Sequence, residues 1–249
     1  MYKIVMNLQE YLINIPGTVS LIIGYLLATA LFIFVIGPFH NFIKSKVAAA
    51  CGDEWVEEAG YFTMNPAKSF HWIGFVSVLI TRMGFTKRVR YRRRHLDSPI
   101  LGTIMIAVSG VLTYLVCCVV LLFVCSILSK VNTYGITNPV TALMDTYSFG
   151  GYVFLTLYSA LCYLPRICIC SALFNLIPIA PMDMGELLFI FFRQHWSDVI
   201  KKNDVLISLG LFVLAFLVFS LPNSFLVDFS NDFVNAITSA SDFIVELII

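Results

Sequence analysis

Charged residues are scarce in this sequence: Asp, Glu, Lys and Arg make up 12% of its 249 residues. A water-soluble domain carries about 25%, so an ordinary soluble fold is excluded. The formal net charge is +1. No excess of either sign points to a polyanionic or polycationic partner, and no nucleic acid is expected. The basic start and small-residue cleavage site of a secretory leader are also missing, so the first hydrophobic run is expected to remain as a span. No internal repeat or low-complexity linker divides the chain. It is expected to be one integral membrane domain over residues 1–249, with a core of about 18–221 and an amphipathic tail over 222–249. Seven cysteines are present, an odd number, and all but Cys51 lie in hydrophobic runs. They read as small apolar packing residues, and Cys168 and Cys170 lack the spacing of a redox pair.

What is abundant is apolar surface. Hydrophobic residues reach 59% and mean hydropathy is +0.88, so the lipid bilayer is the first expected partner. Hydrophobic segments cover Thr18–Phe39, Trp72–Phe85, Ile100–Leu128, Gly150–Pro181 and Val205–Leu221. The second would rise only about 21 Å as a helix, short of about 30 Å of hydrocarbon. It reads as re-entrant or interfacial. The fourth contains Pro165-Arg166 and reads as a broken helix, with Arg166 at a wet or interfacial spot. The last 25 or so residues mix Asp228, Asp232, Asp242 and Glu246 with apolar positions and read as amphipathic or interfacial. The expected fold is an all-α polytopic membrane protein with about five to six membrane segments. A small extended or β segment is expected near residues 59–68, because Pro66 disfavours helix at Asn65.

Basic residues set the expected orientation. Lys87, Arg88, Arg90, Arg92, Arg93 and Arg94 form a run that the positive-inside bias places in the cytoplasm, where it serves as topology determinant and headgroup contact. Residues 186–204, with Arg193, Lys201 and Lys202, then also fall inside. Both termini are expected outside. His71, His95 and His195 lack ligand spacing with one another and read as interfacial.

One segment carries chemistry. Asn175-Leu-Ile-Pro178-Ile-Ala-Pro181-Met-Asp183-Met-Gly185 sets a carboxylate at the end of a membrane-grade apolar run, and such groups default to functional sites. Its pattern, N-x-x-P-x-x-P-x-D-x-G, resembles the second signature of the site-2 protease family of intramembrane zinc metalloproteases. The resemblance runs from about residue 20 to residue 220. It includes Gly52-Asp53, Ala59-Gly60, Thr63, Asn65-Pro66, Lys68, Ile73-Gly74, Gly84, Lys87 and Gly110, which match bacterial members. It implies a bacterial cytoplasmic membrane. It also implies a first signature, H-E-x-x-H, whose two histidines join the later aspartate as zinc ligands while the glutamate is the general base. Residues i and i+4 share a helix face, and three ligands leave zinc a position for water.

The first signature here reads His40-Asn41-Phe42-Ile43-Lys44. Asn41 stands at the general-base position and Lys44 at the second histidine; Val111 and Tyr114 replace the proline and asparagine of a third-span motif. Of the implied ligands only His40 and Asp183 remain. An asparagine amide has no useful basicity, so the acid–base contribution of about 10²–10⁴ is lost. An ammonium has no lone pair for a metal. No catalytic residue and no cofactor are therefore expected, and Lys44 is expected to pair with Asp183 in place of the metal. Asn65, Pro66, Asn175, Pro178 and Pro181 mark an implied groove, where transmembrane or extended peptide segments of other proteins could be received along a strand edge. The leading expectation is an inactive pseudoprotease that binds or regulates membrane protein segments. The alternatives are an active zinc metalloprotease with a rearranged site, and a transporter or channel.

Overall fold

The computed structural model describes residues 15–135, 149–179, 182–191, 203–220 and 225–248. Helix α1, Ile15–Leu31, runs through a π turn, Phe32–Ile36, into α2, Gly37–Ala50. Pro38 causes the turn to widen. A proline inside an α-helix lacks the N–H for its own bond and collides with the carbonyl four residues back. Inserting one residue per turn relieves the collision, and Gly37 N–H reaches the Phe32 carbonyl instead. Single π turns of this kind occur often at functional sites, and His40 follows at once.

After two isolated turns, Trp55–Glu58 and Pro66–Ser69, comes the short α3, Trp72–Thr81, capped by the His71 ring and ended by Arg82 at φ 60°. An irregular segment then leads to α4, Pro99–Gly135, and α5, Phe149–Asn175. A tight 3-10 turn, Met184–Leu187, precedes α6, Asp204–Ser220, and α7, Phe225–Ile248. Helix α1 packs on α5, and α5 and α2 pack on α4. At the first of these crossings Gly24 lets the backbones close: a Cβ there would sit 1.9 Å from Ser159 Oγ. The main core joins Phe32, Val111, Tyr114, Cys118, Ile167 and Ala172.

Thr18–Ala50, Pro99–Leu128 and Tyr152–Asn175 are long and apolar enough to cross a membrane; α3 and α6 contribute shorter apolar stretches. By length and composition, three of the expected five to six membrane segments are found among the described residues. No strand occurs among the described residues, but Asn65 is extended, at φ −68° and ψ 114°, as Pro66 after it requires. Local bonds close residues 59–68 on themselves. Asn65 Oδ1 accepts from Ala67 N and Lys68 Nζ donates to the Gly60 carbonyl, and Pro66 opens a helical turn, the position where its missing N–H is harmless.

The expected break at Pro165 is also absent, because α5 continues through it. Pro165 frees the Leu161 carbonyl, and the Cys125 thiol of α4 donates to it at 3.5 Å. A neighbouring helix thus satisfies the lost bond, as apolar surroundings require. The tail is amphipathic, but it does not lie apart at a surface. Helix α7 packs lengthwise on α4 and α5, with Ser241 Oγ 2.6 Å from Ser126 Oγ.

Candidate functional site

Helix α2 presents His40 and Lys44 one turn apart on the face that meets α4. The 182–187 turn brings Asp183 against both. His40 Nε2 lies 2.8 Å from Asp183 Oδ2, and Lys44 Nζ lies 2.7 Å from Asp183 Oδ1. All three are buried: His40 is 1% exposed, Lys44 3% and Asp183 3%. The approach depends on Gly110 of α4. A Cβ there would fall 2.3 Å from Asp183 Oδ2 and 2.8 Å from His40 Nε2.

Asn41 takes no part in holding Asp183. Its Nδ2 donates to the Lys87 carbonyl at 2.9 Å, which fixes Oδ1 as the acceptor. That oxygen receives the Thr86 hydroxyl at 2.9 Å and lies 3.1 Å from His40 Nδ1. Both ring nitrogens of His40 thus face oxygen atoms, Nε2 that of Asp183 and Nδ1 that of Asn41. Tyr114 closes the site from α4. Its ring stacks on His40 at 4.4 Å between centroids, and its buried hydroxyl meets no partner in hydrogen-bond geometry among the described residues. Burial by itself would raise the Asp183 pKa; the charges and hydrogen bonds of His40 and Lys44 outweigh it and hold the carboxyl below its ordinary range.

A second buried carboxylate, Glu186, stands one turn further on. Arg88 grips it with two bonds, Nε to Oε1 at 2.6 Å and Nη2 to Oε2 at 2.9 Å. Tyr91 adds its hydroxyl to Oε2 at 3.2 Å, and Arg93 Nη2 donates to the Glu186 carbonyl at 2.8 Å. Burial pushes the Glu186 pKa upward, and Arg88 overrides it, so the net direction is down. Part of the basic run therefore folds inward onto the turn that carries Asp183. Sequence reasoning missed Glu186. Its one signal is the i, i+3 spacing from Asp183, which puts two acids on one side of a turn.

The other motif residues are dispersed. Asn175 is buried and braces the irregular segment, donating to the Gly84 carbonyl at 3.1 Å and the Ser171 carbonyl at 2.8 Å. Exposed Asn65 and half-buried Pro66 start their own helical turn and make no hydrogen bond to the His40–Asp183 group. Pro178 is exposed in the bend after α5, while Pro181, Arg193, His195, Lys201 and Lys202 lie outside the described residues. His71 caps α3, accepting from Gly74 N at 3.2 Å. His95 Nδ1 stands 3.6 Å from buried Asp53.

The donors do not fit a catalytic zinc. An imidazole and a carboxylate already bonded to each other are joined by an ammonium, which cannot coordinate. Among the described residues no group of three or more His, Cys, Asp or Glu side chains is placed to hold a metal ion. Chemically the arrangement is a closed ionic knot.

The chain is similar to a Bacillus subtilis (strain 168) protein named "Putative zinc metalloprotease YwhC", with 24% identity over 159 residues. The match covers 64% of this chain and 65% of that protein, so the chain spans less than two thirds of that protein's length. No protein-family model matches the chain, and no solved structure matches it.

Proposed function

We infer that this chain is a site-2-protease-like membrane protein that has exchanged its catalytic metal for a salt bridge and does not cleave peptides. The observation that carries this reading is Lys44 Nζ at 2.7 Å from Asp183 Oδ1, at the position where the resemblance implies a metal-ligating histidine. Two supports accompany it. The carboxamide at position 41 is turned away from Asp183 and bonded to the Lys87 carbonyl. The similar Bacillus subtilis protein carries the name "Putative zinc metalloprotease YwhC", which agrees with the family that the signature around Asp183 resembles. In this reading the whole chain forms one domain, both termini lie outside a cytoplasmic membrane, and no cofactor is held. The retained scaffold binds or regulates membrane protein segments without cutting them.

Metal analysis tests the reading. The purified chain is compared with an Asn41→Glu/Lys44→His double variant after equal exposure to zinc. The native chain is expected to hold well under one zinc per molecule and the double variant to hold more. Stoichiometric zinc in the native chain contradicts the reading, as does cleavage of a single-span test substrate that a chelator abolishes.

A further inference from the structure

Helix α7 packs one face, including Ser230, Val234, Ile237 and Ser241, against α4 and α5. Its opposite face aligns Asp228, Asp232, Asn235 and Ser239. Steps of four, three and four residues keep such positions in one stripe on a helix of 3.6 residues per turn. Asp228, Asp232, Asn235 and Ser239 are all exposed. Phe229 and Phe243, at 41% and 64% exposure, flank them.

The depth of this stripe is fixed by its neighbours. Helices α4 and α5 are antiparallel, with Cys118 near Cys168 and Cys170 and Cys125 bonded to the Leu161 carbonyl. Ser230 stands beside the Cys170 thiol, and Ser241 bonds Ser126. Helix α7 therefore runs parallel to α4 along the C-terminal half of Pro99–Leu128, one of the helices apolar enough to cross a membrane. Asp228 and Asp232 make no salt bridge with a described residue. Ionisable groups at this depth are strongly unfavourable against lipid tails and belong in protein interiors or wet cavities. The flanking phenylalanines do not suit a wet surface.

We propose that the Asp228–Ser239 face of α7 is the docking surface for a membrane-embedded helix of another protein that carries Lys or Arg at matching steps. Two carboxylates one turn apart match two cations one turn apart. Asn235 and Ser239 continue the seam with hydrogen bonds of the kind that join membrane helices. A second copy of this chain is the wrong occupant, because a two-fold contact would set acid against acid. Anionic headgroups are excluded by the same sign. The surface lies outside the His40–Asp183 knot and stands or falls independently of the reading of that site.

The test uses the full chain in lipid bilayers and synthetic single-span peptides with a leucine-rich core. One peptide carries two central lysines four residues apart, one carries leucines there and one carries glutamates. Association is read by energy transfer between labelled chain and labelled peptide. The lysine peptide is expected to bind at least tenfold more tightly than the leucine peptide, and Asp228→Asn/Asp232→Asn to remove that preference. Asp228→Lys/Asp232→Lys is expected to transfer the preference to the glutamate peptide, a gain that misfolding does not produce. Equal binding of the lysine and leucine peptides overturns the proposal, as does a lysine preference that survives Asp228→Asn/Asp232→Asn. Self-association of labelled chains that Asp228→Asn/Asp232→Asn abolishes also overturns it, in favour of a second copy.

Discussion

Asp183 and Glu186 stand one turn apart, are equally buried, and are answered in different ways. Both partners of Asp183, His40 and Lys44, come from one turn of α2, inside a continuous apolar helix. The partners of Glu186 are Arg88, Tyr91 and Arg93, from a stretch whose helical structure is limited to the single 3-10 turn Arg93–His95. The first pair ties together elements that would pack anyway. The second tethers a polar, basic segment that has little apolar surface of its own. A buried ion pair in the helical core is therefore a condition of folding, whereas the Glu186 clamp is a local fastening. The two are expected to fail differently.

The largest effect is expected at Lys44. Lys44→Met removes the charge but keeps the volume, leaving Asp183 with His40 alone. Removing one partner from a buried pair typically costs about 3–5 kcal/mol. Global unfolding of the variant in detergent is expected at markedly lower temperature than for the native chain. The paired substitution Lys44→Met/Asp183→Asn is expected to recover much of the loss, because it leaves no unanswered charge. A single Lys44→Met change that leaves unfolding unmoved would erase the distinction between the two carboxylates.

Arg88→Gln is expected to act locally. It strips the two-point grip from Glu186, with a loss of about 1–3 kcal/mol for an unsatisfied buried group, and it is read by protease nicking of the basic segment rather than by global unfolding. Acid sharpens the contrast. The folded Glu186 pKa is depressed in the native chain, so the clamp contributes fully above the unfolded value of about 4.3. That contribution is lost only as pH falls through the lower folded value. Without Arg88, burial dominates and the folded value moves above the unfolded one, so acidification then favours the closed segment. Protection is thus expected to hold from neutral to mildly acid pH in the native chain and to increase on acidification in Arg88→Gln. Parallel profiles would contradict the assignment of Arg88 as the dominant partner.

The same contrast governs what the sequence made legible. Asp183, His40 and Lys44 were nameable because each sits at a fixed step in a short motif, and i, i+4 spacing on a helix places two of them together without knowledge of the rest. The Glu186 clamp was not, because the partners of Glu186 come from a stretch 93 to 98 residues earlier and no local period links them. Other features were hidden for physical reasons. The rescue of the Leu161 carbonyl by Cys125 lets Pro165 sit inside α5, and a single sequence shows the proline but not the compensation. The segment around Asn65 satisfied its backbone with local turns, which compete with strand pairing. The position of α7 was hidden because amphipathicity reports two faces, not which neighbour covers one of them.

Tyr114 offers the smallest and most diagnostic change. Its ring is fully buried, stacked 4.4 Å from His40 and 5.5 Å from Phe32, so its packing contributes whatever happens to the oxygen. Among the described residues its hydroxyl finds no partner in hydrogen-bond geometry, the Thr86 hydroxyl being a nearby candidate, and burying a hydroxyl in that state is unfavourable by about 1–3 kcal/mol. Tyr114→Phe keeps both stacks and removes the orphan, so the expected outcome is a small gain in stability, up to about 1 kcal/mol, seen as a slight rise in unfolding temperature. A clear loss instead would mean that the oxygen is satisfied in solution, for example by an ordered water bridging to Thr86. The knot around Asp183 would then be partly hydrated, and its resemblance to the dry, closed core of α2 and α4 would weaken toward the looser fastening at Glu186.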